Sequence, residues 1–203
     1  MSAPPHGGEP EAVPLLRPGD PVPDFRFRNH LGEWVRLSDY WRERPTVFTF
    51  VRHFLCPFCR LQLARLQKRY REITDLGAQV VVVGMGDPQQ TARFRDTLHL
   101  TFPMLCDVEE ESYNALGLIR HDYTVEGVVK DLQATVPLAL KLMARGEYGR
   151  VLRAGNKTRM GGTLIVDTAG RVIHFHRDED MGDHATVEEL TDALAGHRAR
   201  RAA

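Results

Sequence analysis

The chain has 203 residues, 42% hydrophobic and 27% charged, which suits one soluble globular domain with a well-filled core and is short for two. Its 27 basic and 27 acidic side chains cancel, which argues against a dedicated binder of nucleic acid, and no stretch approaches the length of a membrane span. Three cysteines, an odd number, do not suggest a secreted disulfide framework; a reducing cytoplasm fits them best.

Met1 to Ala12 is proline-rich, with no basic start followed by an apolar run, and reads as the greater part of a disordered tail over residues 1–16. One folded domain is expected over 17–203. Its first strands are read around Phe25 and Phe27 and over Trp34 to Leu37, with a turn at His30 to Glu33 and Ser38 as N-cap of a short helical segment, Asp39 to Arg42. Thr46 to Val51 is six apolar or β-branched residues in a row, the pattern of a strand buried on both faces.

Cys56-Pro57-Phe58-Cys59 follows that strand and opens a helix whose apolar residues recur at Leu63, Leu66, Tyr70 and Ile73, with Gln62, Arg65, Lys68, Arg69 and Glu72 on the opposite face. Pro57 suits the first helical turn, where its missing N–H costs little. The placement carries chemistry. Unpaired N–H groups at a helix N-terminus stabilise negative charge, so a cysteine there gains thiolate character, and the thiolate is the nucleophile. Two cysteines at this spacing can also close a disulfide, so the pair can cycle between dithiol and disulfide. Structural zinc takes four ligands, and Cys106 has no cysteine or histidine near it at a metal-like spacing, so neither metal nor cofactor is expected.

Val80 to Val83 reads as an interior parallel strand, Asp87-Pro88 as the start of a helix running to about Leu98, and Phe102 to Leu105 as a short extended piece. Asp107 is read as the cap of a helix that Gly117 ends. A helical insertion is expected over about 120–160, followed by a β-hairpin, Thr163 to Val166 and Val172 to Phe175, around Asp167-Thr168-Ala169-Gly170. Thr186 to Glu189 is a capping box opening a C-terminal helix. This order gives an α/β, thioredoxin-like fold: a central mixed β-sheet flanked by helices, with the helical insertion before the C-terminal hairpin.

Gly19-x-x-x-Pro23-Asp24-Phe25, Gly32-x-x-Val35-x-Leu37-Ser38-Asp39-Tyr40, Phe102 to Asp107 and Gly162 to Gly170 resemble segments of the peroxiredoxin (AhpC/TSA) superfamily. Phe50-Val51-Arg52-His53-Phe54-Leu55-Cys56-x-x-Cys59, Gly161-Gly162-Thr163 and Gly182-Asp183-His184 are similar to its peroxiredoxin-like 2 group. The resemblance spans roughly 19–196 and implies a thiol-dependent oxidoreductase that reduces a peroxide or disulfide substrate. It implies an external thiol reductant, thioredoxin or a low-molecular-weight thiol, and admits a homodimer.

The chain departs from the usual Pro-x-x-x-Thr-x-x-Cys of peroxiredoxins. With Cys59 in the peroxidatic place, Cys56 stands at the threonine and Arg52 at the proline; with Cys56 there, His53 and Thr49 do. The arginine that normally precedes Gly-Thr is replaced by Gly161, with Arg159 close by. The candidate catalytic residues are Cys56 as nucleophile and Cys59 as resolving thiol, an order the peroxiredoxin register would reverse, with Arg52, His53 and Arg159 as electrostatic partners. Arg159 is otherwise a solvated surface residue, and Cys106 is read as a small buried apolar group. Two other functions stay open: a redox-sensing or binding module without turnover, and a reductase of an organic endoperoxide, of the prostaglandin F synthase type that the resembled group includes.

Overall fold

The computed structural model describes residues 15–54, 56–118, 159–180 and 182–202. The elements are β1 (Arg26–Asn29), β2 (Trp34–Arg36), α1 (Ser38–Trp41), β3 (Thr46–Phe50), α2 (Pro57–Lys68), α3 (Tyr70–Asp75), β4 (Gln79–Gly84), α4 (Pro88–Thr97), β5 (Met104–Cys106), α5 (Glu111–Ala115), β6 (Gly162–Val166), β7 (Val172–Arg177) and α6 (Val187–Ala202). They form one seven-stranded sheet in the order β2-β1-β5-β4-β3-β6-β7. The expected mixed sheet is there. β3, β4 and β5 run parallel, and antiparallel pairs close both sides: β1 with β5 and β2, and β6 with β3 and β7.

The apolar runs become central strands because both sheet faces are covered. Every residue of β3 is buried, and Val47 and Phe48 point into different cores. One core packs Leu63, Leu66, Phe94, Leu190 and Leu194 from the helices on one face, and includes both Cys56 and Cys59. The other gathers Trp41, Phe48, Phe50 and Tyr113. The Tyr113 hydroxyl donates to the carbonyls of Val51 (2.6 Å) and Val83 (3.0 Å), tying α5 to the ends of β3 and β4. Those strand ends are where the cysteine motif begins.

Three local expectations are corrected. Ser38 lies inside α1 and does not cap it; its hydroxyl donates to Asp24, whose other oxygen accepts the Ser38 N–H. The helix after Cys56 is not continuous to Ile73. It breaks at Arg69 (φ −109°, ψ 17°), where the side chain is held by Glu72 and Glu188, and restarts as α3. Gln62, assigned to the polar face, is 7% exposed, because the segment leading into α6 lies across that side of α2. Asp107 does accept the N–H groups of Glu111 and Ser112 at the start of α5, and the boxes Asp87–Gln90 and Thr186–Glu189 open α4 and α6. The insertion over 120–160 lies almost wholly outside the described residues, as does most of the N-terminal tail.

Candidate active site

β3 delivers the chain to the start of α2, and Cys56 is the N-cap of that helix with Pro57 at its first position. Cys56 keeps extended backbone (φ −65°, ψ 117°), its N–H donates to the His53 carbonyl at 2.9 Å, and its own carbonyl accepts the Arg60 N–H at 3.0 Å. The Sγ atom therefore faces the unpaired N–H groups of the first turn. Both cysteines are free thiols, each 1% exposed.

The two thiols are driven in opposite directions. Cys56 is lowered to about 6, first by the hydrogen bond it accepts from the Cys59 thiol; burial opposes this, and the Arg52 charge and the N–H groups of Cys59 and Phe58 reinforce it. Cys59 is pushed well above the ordinary thiol value, because its proton is engaged by Cys56 and because it is buried. The pair is thus a thiolate beside a proton-bearing thiol. A donor shared between two sulfurs favours charge on the accepting one, and the N-terminal end of α2 favours that charge on Cys56, its N-cap.

Arg52 is 3% exposed and lies directly at the pair: Nη2 donates to Cys56 Sγ at 3.5 Å and Nη1 to Met160 Sδ at 3.6 Å. His53 is half-buried and contributes its backbone carbonyl to the turn. Arg159 has a different setting from the solvated one. It is 4% exposed, with Nε on Glu110 (2.8 Å), Nη1 on the Leu118 carbonyl (3.0 Å) and Nη2 on Asn114. These partners lie in α5 and on either side of it, so Arg159 braces the segment that carries Met160 into β6, and none of these bonds reaches the thiols. Cys106 is buried, its thiol raised by burial and bonded to the Thr91 hydroxyl at 3.3 Å, as a small core group would be.

Sequence reasoning missed Met160 and Asp178. Met160 had no signal of its own. Asp178 did: it follows β7 directly, and Gly161 beside it leaves no room for a side chain, since a Cβ there would sit 2.5 Å from the Phe50 carbonyl and 2.8 Å from Asp178 Oδ2. Asp178 is 2% exposed and accepts from His184 Nδ1 at 2.7 Å, so the Gly182-Asp183-His184 motif folds back on the same strand ends. Among the described residues no group of three histidine, cysteine, aspartate or glutamate side chains is arranged to hold a metal ion. No described helix is long and apolar enough to cross a membrane.

A thioredoxin-like sheet that presents a low-pKa thiol at the head of a helix defines a class, the thiol-dependent oxidoreductases. Comparison with known proteins narrows it. The model of the AhpC/TSA family matches residues 18–175. The chain is 30% identical over 179 residues to the prostamide/prostaglandin F synthase of Salmo salar, covering 86% of each. It is 26% identical over 190 residues to the human peroxiredoxin-like 2C, covering 92% of this chain and 81% of that one. Solved structures with the same fold include the peroxidoxin BcpB of Mycobacterium tuberculosis (TM-score 0.63, 18% identity, 91% of this chain and 97% of that one). A mutant of peroxiredoxin 6 from Arenicola marina gives a TM-score of 0.69 at 10% identity, covering 92% of this chain and 75% of that one. The chain belongs to the AhpC/TSA family, within its peroxiredoxin-like group.

Proposed function

We propose that the protein reduces a peroxide through a Cys56–Cys59 dithiol/disulfide cycle. Cys56 is the nucleophile: its thiolate attacks one oxygen of the O–O bond, becomes a sulfenic acid, and releases the other oxygen as an alcohol or water after protonation. Cys59 then attacks the sulfenic sulfur, forming the Cys56–Cys59 disulfide and releasing water, and two equivalents of an external thiol return the pair to the reduced state. Arg52 supplies positive charge at the attacking sulfur. The His53 carbonyl fixes the turn, and Arg159 acts as a positioning residue for the Met160 segment against which Arg52 rests.

The observation that carries this is the placement of Cys56 at the head of α2, with Arg52 Nη2 3.5 Å from its sulfur and the Cys59 thiol donating to it, an arrangement that lowers Cys56 to about 6 and raises Cys59. It favours Cys56 over the reverse register, because the attacking thiol needs to be ionised near neutral pH. The test is turnover of hydrogen peroxide and an organic hydroperoxide with dithiothreitol or thioredoxin as reductant. Cys56→Ser is expected to abolish turnover, and Cys59→Ser to stall as a trappable sulfenate or mixed disulfide on Cys56. A sulfenate accumulating on Cys59 in the Cys56→Ser variant would reverse the order.

A second reading draws on the 30% identity to the Salmo salar prostamide/prostaglandin F synthase. An endoperoxide is an internal O–O bond, so the same two thiols can open it to a diol while forming the disulfide. Saturation by an endoperoxide with little turnover of hydrogen peroxide would favour this reading. Oxidation of two thiols without turnover under any reductant would favour a redox sensor.

A further inference from the structure

A pocket of about 310 Å³ lies between α2 and residues 182–188, and its lining includes Phe58, one of the two residues between the cysteines. Its volume is that of about ten liquid water molecules, the small end of ligand-site size. Phe58, Leu61, Leu66 and Val187 give it an apolar wall, and Leu61 is 50% exposed there although it belongs to the helix that carries the thiols.

The polar groups of the pocket are not balanced. Arg69 at its rim is neutralised by Glu188 and by Glu72 (2.6 Å). Arg65, also on the rim and exposed, meets no carboxylate among the described residues, leaving one uncompensated positive charge at the mouth. Inside, Gln62 is more than nine-tenths buried and its Oε1 meets no hydrogen-bond donor among the described residues. His184 Nδ1 lies 2.7 Å from Asp178 Oδ2, and its Nε2 is buried with no hydrogen-bond partner among the described residues; in the tautomer with the proton on Nδ1, Nε2 is an acceptor. A buried acceptor left unmatched costs about 1–3 kcal/mol, so one such group on each side of the pocket calls for a donor.

We infer that this pocket is a binding subsite for a small amphipathic carboxylate: an apolar chain against Phe58, Leu61 and Val187, a hydroxyl or N–H donating to Gln62 and His184, and the carboxylate at Arg65. The inference deepens the proposed function, on which its assignment to the molecule that Cys56 attacks rests. The pocket then selects which peroxide or disulfide reaches the thiolate, holding its far end while the reacting bond lies at the head of α2. The motif Gly182-Asp183-His184 gains a role as the wall that supplies one acceptor and orients it through Asp178.

The probes are octanoate and 3-hydroxyoctanoate, titrated calorimetrically into the reduced full-length protein. Both are expected to bind saturably, the hydroxy acid several-fold tighter. Arg65→Glu is expected to weaken both by about tenfold or more, and Gln62→Leu to remove the preference for the hydroxy acid while folding is checked by circular dichroism. Octanoate is expected to compete with a carboxylate-bearing hydroperoxide in turnover. Wild-type protein that shows no saturation, binding indifferent to Arg65→Glu, or inhibition that does not compete with such a substrate overturns the subsite. Cys56→Ser keeps the binding, which separates the two readings: Arg65-dependent binding without turnover of any oxidant supports the pocket and removes the peroxide-reduction cycle.

Discussion

Cys59→Ala removes the thiol whose hydrogen bond is the largest cause of the low Cys56 value. A hydrogen bond to a charged acceptor contributes about 1.5–3 kcal/mol, and a pKa unit corresponds to about 1.4 kcal/mol, so the loss raises Cys56 by roughly one to two units. The midpoint is expected to move from about 6 to between about 7 and 8. At pH 7 the thiolate fraction then falls from about 90% to between about 10% and 50%. Two readouts check this: thiolate absorbance at ~240 nm against pH, and the rate of iodoacetamide alkylation, which follows the thiolate fraction. In the wild type the alkylation rate climbs through about 6 and levels off; in Cys59→Ala the climb shifts up by the stated amount. Cys56→Ser serves as the control and is expected to show no thiolate titrating below neutral pH, since burial raises both Cys59 and Cys106. A Cys59→Ala midpoint that stays at about 6, or an acidic titration that survives in Cys56→Ser, refutes the assignment of the charge to Cys56 through Cys59.

Four further outcomes follow from the same geometry. Reduced wild-type protein, compared with Cys56→Ser in urea, is expected to gain stability as pH rises from about 6 towards the ordinary thiol value of 9.0, because over that window the unfolded chain holds a proton on Cys56 that the folded one has released; above that value the raised Cys59 makes the sign reverse. Tyr113→Phe removes the hydroxyl that donates to the Val51 and Val83 carbonyls and should cost about 1–3 kcal/mol in denaturant unfolding, with a native circular dichroism spectrum retained. Arg159→Met removes the buried bonds of the guanidinium to Glu110, the Leu118 carbonyl and Asn114 and should cost about 1–3 kcal/mol while moving the Cys56 midpoint little; a shift of a full unit would mean that Arg159 acts on the sulfur directly. Gly86→Ala sets a Cβ 2.2 Å from Phe54 Cε2 and must unseat that ring from its stack on Phe94 (centroids 4.5 Å apart), which should cost about 1–3 kcal/mol in thermal or denaturant unfolding.

What the sequence by itself determined was whatever rests on local hydrogen bonding and short-period patterning. The unbroken apolar runs at Thr46 to Val51 and Val80 to Val83 required strands covered on both faces, and the boxes at Asp87 and Thr186 marked two helix starts, since a cap is a contact three residues long. The cysteine pair at a strand-to-helix turn marked the candidate site, and Arg52, four residues from Cys56, was legible as its neighbour. Only the tertiary structure shows that the two sulfurs share a hydrogen bond and that Arg52 reaches Cys56, the contacts that push the two thiols in opposite directions. It also decided that Gln62 is buried, that the polar face ends at a break held by Glu188, 119 residues away from Arg69, and that Arg159 is occupied by α5 and its flank. Those contacts join segments far apart in the chain, where no periodicity or spacing records the partner; only the closing of the sheet brings residues 159–188 onto the end of β3 and the head of α2.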